Sequence, residues 1–225
     1  TIFEGLSINN SSGVNLTANP EVNTSLSFSD GKISTGANRL DLTASTDGVS
    51  GYGAGKYIYG NFRRYVSTGI DYNLPIGDAS NYELCGLRVN SQTGLTYVDV
   101  SFTASDQNPP PVITVNGVTV DDFLDYGYWT FTPNAGLASV NYNASIQSTG
   151  HANQFGTGDN YSLISDIGSG WQDLGSHSAS TQEYSSTTVL AQRQNLTTFG
   201  SYIVGHSNTS LYIAPTVTEE LRIKG

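Results

Sequence analysis

Short apolar–polar–apolar triplets, separated by turn residues, fill the first fifty positions and commit them to extended structure. The pieces are Leu6-Ser7-Ile8, Val14-Asn15-Leu16, Leu26-Ser27-Phe28, Lys32-Ile33-Ser34 and Leu40-Asp41-Leu42. Between them stand Asn9-Asn10-Ser11-Ser12-Gly13, Asn19-Pro20, Asp30-Gly31 and Gly36-Ala37-Asn38, residue types that favour turns. A period of two places the apolar members on one face of each strand. Strands this short and this evenly spaced fit two architectures. One is a sandwich meander. The other is a few rungs of a β-solenoid, each rung burying its inward residues against the next. Asparagine at the corners favours the solenoid, because Asn tolerates left-handed backbone at tight bends.

Composition points the same way. Charged residues are 12% of the 225, against the usual ~25%. The polar surface must therefore come from Ser, Thr, Asn and Gly, which compete with helical backbone bonds and suit strands and turns. No segment offers an amphipathic helix of useful length. The net charge of −10 and nine Lys and Arg spread along the chain disfavour a nucleic-acid groove, which needs clustered cations. They disfavour an anionic membrane surface equally, and no apolar run reaches the ~20 residues of a membrane span. The single cysteine, Cys85, rules out an intrachain disulfide and reads as a small buried apolar residue. The chain starts at Thr1, as a processed chain or an excised fragment would.

The glycine-rich run 47–56 marks the best internal boundary. Residues 1–50 form the short-strand unit, 51–215 an antiparallel β-sandwich, and 216–225 a terminal strand or linker. Sandwich strands are expected at 56–66, 69–74, 83–90, 94–104, 127–133, 137–146, 160–166, 182–191 and 198–205. Pro109, Pro110 and Pro111 mark a stiff connection, and Asn116-Gly117 signals a hairpin. Trp129 and Trp171 flank glycine-bounded turns. Trp129 reads as a core anchor, and Trp171 as either an anchor or a stacking surface. Beyond Pro215, Val217, Leu221 and Ile223 alternate with polar residues. Such a terminal strand can add to the exposed sheet edge of another copy.

Candidate chemistry is sparse. His151, His177 and His206 lie far apart and form no zinc motif. No nucleophile elbow accompanies the many serines. Asp121, Asp122 and Asp125 cluster before Tyr126, either as a solvated turn or as a calcium site of hard oxygen ligands. The alternating acidic ligand loop is missing. Tyr57 and Tyr59 read either as half-buried strand residues or as a sugar-stacking face. The adjacent Arg63 and Arg64 should point to opposite faces of a strand. The inward one needs a carboxylate or carbonyl partner; Asp71, Asp78 and Glu83 are the acids nearest in sequence. A lock between this strand and the turn at Pro75–Asp78 is preferred to anion binding.

Two blocks carry a family resemblance. LSINNSSGVNL followed by LSFSDGKISTGANRLDL is the first, and YIYGNFRRYV with GIDYNLPIGDASNYEL is the second. A later Tyr128-Trp129-Thr130-Phe131-Thr132-Pro133 and Trp171-Gln172-Asp173-Leu174-Gly175 follow in the same order. Over roughly residues 6–205 the chain resembles β-rich modules of large secreted and cell-surface proteins of Bacteroidota, commonly exported by type IX secretion. Leu74 stands where Phe is frequent in those modules, and no C-terminal sorting domain follows residue 215. The resemblance implies an extracellular module and carries over no catalytic residue.

The expectation is an all-β chain with a solenoid-like or meander unit followed by a sandwich. Its expected role is non-catalytic: a structural or adhesive surface protein, either a self-assembling filament subunit or a module of a large adhesin. The alternative is a carbohydrate-binding module with Tyr57, Tyr59 and Trp171 as contacts. A secreted glycoside hydrolase ranks third. Expected partners are other copies, neighbouring domains or glycans, and no cofactor is expected beyond calcium.

Overall fold

The computed structural model describes residues 1–105, 113–115, 118–120, 122–124, 126–150, 160–177, 183–185 and 188–207. Among these the chain is all-β, with no helix. The N-terminal strands are β1 (Ile2–Asn9), β2 (Val14–Asn15), β3 (Glu21–Asp30), β4 (Ile33–Leu42), β5 (Val49–Ser50) and β6 (Ile58–Tyr65). They stack in parallel as a three-faced solenoid, so the solenoid and not the meander is the structure of this unit. On one face Ile2 pairs with Glu21, Glu21 with Asp41 and Asp41 with Arg63. On the second Leu6 pairs with Leu26 and Leu26 with Val49. On the third Val14 pairs with Ile33, Ile33 with Ile58 and Ile58 with Ile76. The step between stacked residues runs from 18 to 25 positions, because the corners differ in length. That variation hides the repeat in the sequence.

Inward residues form continuous columns, such as Val22 above Leu42 and Ile33 above Ile58, all fully buried. Each such side chain contributes roughly 1.5–3 kcal/mol by leaving water. The corners use two devices. Gly31 has φ +83°, and a Cβ there would lie 1.8 Å from the Asn10 carbonyl oxygen, so only glycine fits. At another corner Asn19, Asn38 and Asn61 lie in a ladder. Asn19 Oδ1 accepts the Arg39 backbone N–H at 2.9 Å, Asn38 Nδ2 donates to the Leu16 carbonyl at 2.9 Å, and Asn61 Nδ2 donates to the Asn38 carbonyl at 3.1 Å. The asparagines thus serve by amide bonding and not by left-handed backbone. Among the described non-glycine residues only Asn195 has a positive φ.

The chain continues through β7 (Asp71–Leu74), β8 (Ile76–Gly77), β9 (Cys85–Thr93), β10 (Tyr97–Ala104), β11 (Ile113–Val115), β12 (Val118–Val120), β13 (Asp122–Phe123) and β14 (Gly127–Pro133). It ends with β15 (Ser139–Thr149), β16 (Asn160–Asp166), β17 (Trp171–Gln172), β18 (Ser176–His177), β19 (Glu183–Ser185), β20 (Thr188–Leu196) and β21 (Ser201–Ser207). One sheet runs β1-β3-β4-β6-β10-β14-β21-β16-β17, and the other β18-β20-β15-β9-β7. Pairing is antiparallel from β10 onward, as the alternating strands foretell. The expected hairpin exists: β11 and β12 pair with Val115 opposite Val118.

The glycine-rich run at 47–56 lies inside this architecture. β6 follows it, yet pairs with β4 on one side and β10 on the other. One apolar core joins Leu26 and Ile33 of the solenoid to Val98, Tyr142 and Tyr202 of the sandwich. Ile113, Val115 and Val120 pack with Ile164 and Ile203 in a separate small cluster. This explains why β16 and β21 are buried residue after residue: one face meets the sandwich core and the other meets the hairpin.

Candidate functional site

Arg63 and Arg64 do point to opposite faces. Arg64 is fully buried and continues the inward column Phe3, Val22, Leu42. It plugs the solenoid where the sandwich core begins. Its guanidinium donates to the carbonyls of Leu42 at 3.2 Å, Ala44 at 3.0 Å and Thr46, and lies 4.5 Å from the Tyr72 ring centre. Burial lowers its pKa to about 10, so it stays charged at neutral pH. The expected carboxylate partners are engaged elsewhere. Asp71 pairs with Arg88, Asp78 accepts from the Tyr126 hydroxyl, and Glu83 is bonded by Thr149. Rung stacking sets β6 beside β4, so Arg64 locks the loop after β4 and not the turn at Pro75–Asp78.

Arg63 faces outward. Its guanidinium grips Asp99 with two bonds of 2.6 and 2.7 Å and lies over the Tyr97 ring at 3.6 Å. One strand away, Arg39 grips Asp41 at 2.6 and 3.0 Å. Asp41, Arg63, Asp99 and Thr132 are direct cross-strand neighbours, so Arg63 stands between two carboxylates on the outer face of the sheet.

Tyr57 is 1% exposed, and its hydroxyl donates to the Asp78 carbonyl at 2.8 Å. Tyr57 and Ile58 are both buried, so alternation breaks where the turn enters β6, and the Tyr57 ring has no face left for a ligand. Tyr59 is 42% exposed on the outer wall of the solenoid, in the row Asn15–Ser34–Tyr59. Trp171 is half-buried against the hairpin cluster, edge-on to Phe123 at 6.1 Å. Trp129 is buried and its indole N–H donates to the Glu83 carbonyl at 3.1 Å, an anchor tying the two sheets together. Asp122 sits on β13 opposite His206. Asp121 and Asp125 lie outside the described residues, as do His151, Val217, Leu221 and Ile223. Among the described residues no three His, Cys, Asp or Glu converge as a metal site.

Two buried polar centres were not legible beforehand. Glu83 is fully buried. The Thr149 backbone N–H donates to its Oε2 at 2.9 Å, while Thr149 Oγ1 lies 2.8 Å from its Oε1 and 2.9 Å from the Tyr82 carbonyl. The threonine hydroxyl has one proton for two acceptors. A protonated Glu83 satisfies all three groups: the carboxyl donates to Thr149, which donates to Tyr82. Burial independently raises the Glu83 pKa to about 8. Arg193 is the second centre. It donates to Ser162 Oγ at 2.8 Å and to the Leu174 carbonyl, and pairs with Asp173. His177 Nδ1 lies 3.2 Å from the same Ser162 oxygen, and burial holds its pKa below the usual histidine value. Ser162 is itself fully buried, so this serine–histidine contact presents no nucleophile to a substrate. Only Glu83's position between Tyr82 and Leu84 hinted at burial.

At its N-terminal end the solenoid is open. Phe3, Leu6, Ile8, Val14 and Leu16 surround an apolar cavity of about 340 Å³, and Ile2 is 69% exposed. β1 is the edge strand of its sheet. No family model matches the chain, and no curated protein or solved structure matches it.

Proposed function

We propose that the chain is a non-catalytic structural or adhesive module of an extracellular surface assembly, and that it joins its neighbour at the open end of the solenoid. The observation that carries this reading is the apolar cavity and edge strand that the first rung presents among the described residues. A stacked-rung architecture needs a polar cap at each end; here the other end runs into the sandwich, whereas the first rung exposes apolar columns and a free strand edge. Such an edge is a template for another strand. The occupant is the terminal segment 216–225 of a neighbouring copy. In an extended conformation Val217, Leu221 and Ile223 would share one side with Glu219 and could extend the columns that start at Phe3, Leu6 and Ile8. Glu220, Arg222 and Lys224 would share the other side. Residues 1–31 contain Glu4, Glu21 and Asp30 and no Lys or Arg, whereas 216–225 carries Glu219 and Glu220 beside Arg222 and Lys224, so apolar matching and not net charge selects this pairing.

Support for the extracellular setting comes from the low-charge, Tyr- and Asn-rich composition and from the resemblance to exported surface modules. Support for a non-catalytic role comes from the acids. Asp41, Asp71, Asp99 and Asp173 are each tied to an arginine, which leaves them poor general acids or bases.

The test removes residues 216–225 and, separately, replaces Phe3 and Leu6 by Glu. Electron microscopy and light scattering should show assemblies of the parent chain and monomers for both variants. A synthetic 214–225 peptide should bind the truncated chain and not the Phe3/Leu6 variant. Normal assemblies from the truncated chain would sink the strand-addition reading.

A further inference from the structure

We propose that the outer surface running from Tyr59 to Thr132 is a binding groove for a neutral oligosaccharide. The inference does not rest on the assembly reading: this surface lies on the outer solenoid wall and sheet face and shares only Leu16 with the cavity at the open end. Two concavities adjoin along β4 and β6. The first, of about 240 Å³, is lined by Asn15, Ser34, Gly36, Tyr59 and Gly60. The second, of about 360 Å³, is lined by Asn38, Arg39, Asn61, Asp99, Ser101 and Thr132 among others. Gly60 and Asn61 are consecutive, so the two concavities flank the corner where the third face of the solenoid turns into the first.

The lining chemistry selects the ligand class. Tyr59 is one of four large apolar side chains exposed in the described structure, and it forms no ring pair among the described residues. Its flat face can cover the C–H face of a pyranose, while its hydroxyl stays in water. Around it the groove offers amides, hydroxyls and a carboxylate, the planar or paired groups that bond neighbouring sugar hydroxyls. Their positions are set before binding. Asn38 and Asn61 are anchored by their Nδ2 donors, which leaves each side-chain oxygen to face a ligand hydroxyl. Asp99 is held by two bonds from Arg63. Groups fixed in advance lose little entropy on binding.

Charge argues against an anionic ligand. Arg39 and Arg63 are each neutralised by Asp41 and Asp99, and the chain carries −10. A phosphate or sulfate polymer finds no free cation here. A peptide is disfavoured for another reason. Around the second concavity β4, β6, β10 and β14 are paired on both sides, so no strand edge is open there to backbone addition. What remains is a ligand with many hydroxyls, no net charge and apolar ring faces.

The test uses the full chain with a panel of neutral oligosaccharides (gluco-, xylo-, manno- and N-acetylglucosamine hexamers) and, as the acidic arm, heparin and polygalacturonate. Binding is followed by amide-resolved NMR and calorimetry. At least one neutral oligomer should shift resonances of residues 34–39, 59–61 and 99–101 saturably. Tyr59→Ala and Asn61→Ala should each weaken binding by about tenfold or more, whereas Tyr59→Phe, which keeps the ring, should retain most of it. Raising salt to about 0.5 M should leave affinity unchanged, because no ion pair is formed. Both replaced side chains are exposed, so an unchanged amide spectrum away from the groove will show that the variants fold. Absence of binding by every neutral oligomer at about 10 mM would overturn the proposal. So would affinity that survives both alanine replacements, or binding confined to the acidic polymers.

Discussion

Replacing Glu83 by Gln should make the protein more stable at alkaline pH and leave it nearly unchanged in acid. The geometry around Thr149 fits a protonated Glu83, and burial raises its pKa from the ordinary value of 4.5 to about 8. In the unfolded chain the carboxyl ionises above about pH 4.5, while in the folded chain it keeps its proton up to about 8. Over that window the unfolded state binds fewer protons, so stability falls as pH rises. Below the window both states are protonated and the effect vanishes; above it the cost is complete. At about 1.4 kcal/mol per pKa unit, the loss is about 3–5 kcal/mol, a large part of the roughly 5–15 kcal/mol typical of a folded domain. The Glu83→Gln side chain reproduces the protonated arrangement: its amide donates to Thr149 Oγ1 and its oxygen accepts the Thr149 N–H. Asp78 and the nearby Tyr57, Tyr82 and Tyr126 are present in both proteins, so their titrations cancel in the difference.

The assay is urea unfolding followed by tryptophan fluorescence, run on both proteins at about pH 5 and about pH 9. The Gln variant should gain about 3–5 kcal/mol on the parent between the two conditions. A difference that does not change with pH would refute the reasoning, since it would mean that Glu83 ionises normally in the folded protein. A Gln variant that is much weaker at both pH values would refute the proton arrangement.

Arg64→Met should destabilise the fold by about 3–5 kcal/mol, because the carbonyls of Leu42, Ala44 and Thr46 lose their buried cation; chemical denaturation measures it, and a loss under about 1 kcal/mol would count against the plug. Arg64→Lys should fall between the two, since one ammonium cannot serve three carbonyls as a planar fork does. Cys85 is fully buried, with burial pushing its thiol pKa up, so a thiol reagent should label it only at the global unfolding rate. Rapid labelling of the folded chain would show that β9 opens locally.

The division of labour between sequence and tertiary structure follows from the range of the forces involved. Local patterning was enough for the elements. Alternation marked β10, β14 and β15 to within a few residues, Asn116-Gly117 announced the β11–β12 hairpin, and the opposite facing of Arg63 and Arg64 is a property of any strand. Asparagine-rich corners pointed toward the solenoid, although the asparagines act there through their amides. Alternation failed at Tyr57, where a turn enters β6, and along β16 and β21, where packing covers both faces.

By itself, then, the sequence determined an all-β chain with a short-strand beginning, because period-two patterning and turn chemistry act over a few residues. Only the tertiary structure decided that the solenoid and sandwich share a sheet, that Arg64 meets three carbonyls and no carboxylate, and that Glu83 is sealed against Thr149. Those outcomes depend on which rung lies beside which. Unequal corners leave that register without a repeat in the sequence; the inward columns set it, through contacts between residues some twenty positions apart or more. The same stacking brings Asn38, Asn61 and Asp99 to one concavity, although the linear chain keeps them more than twenty positions apart.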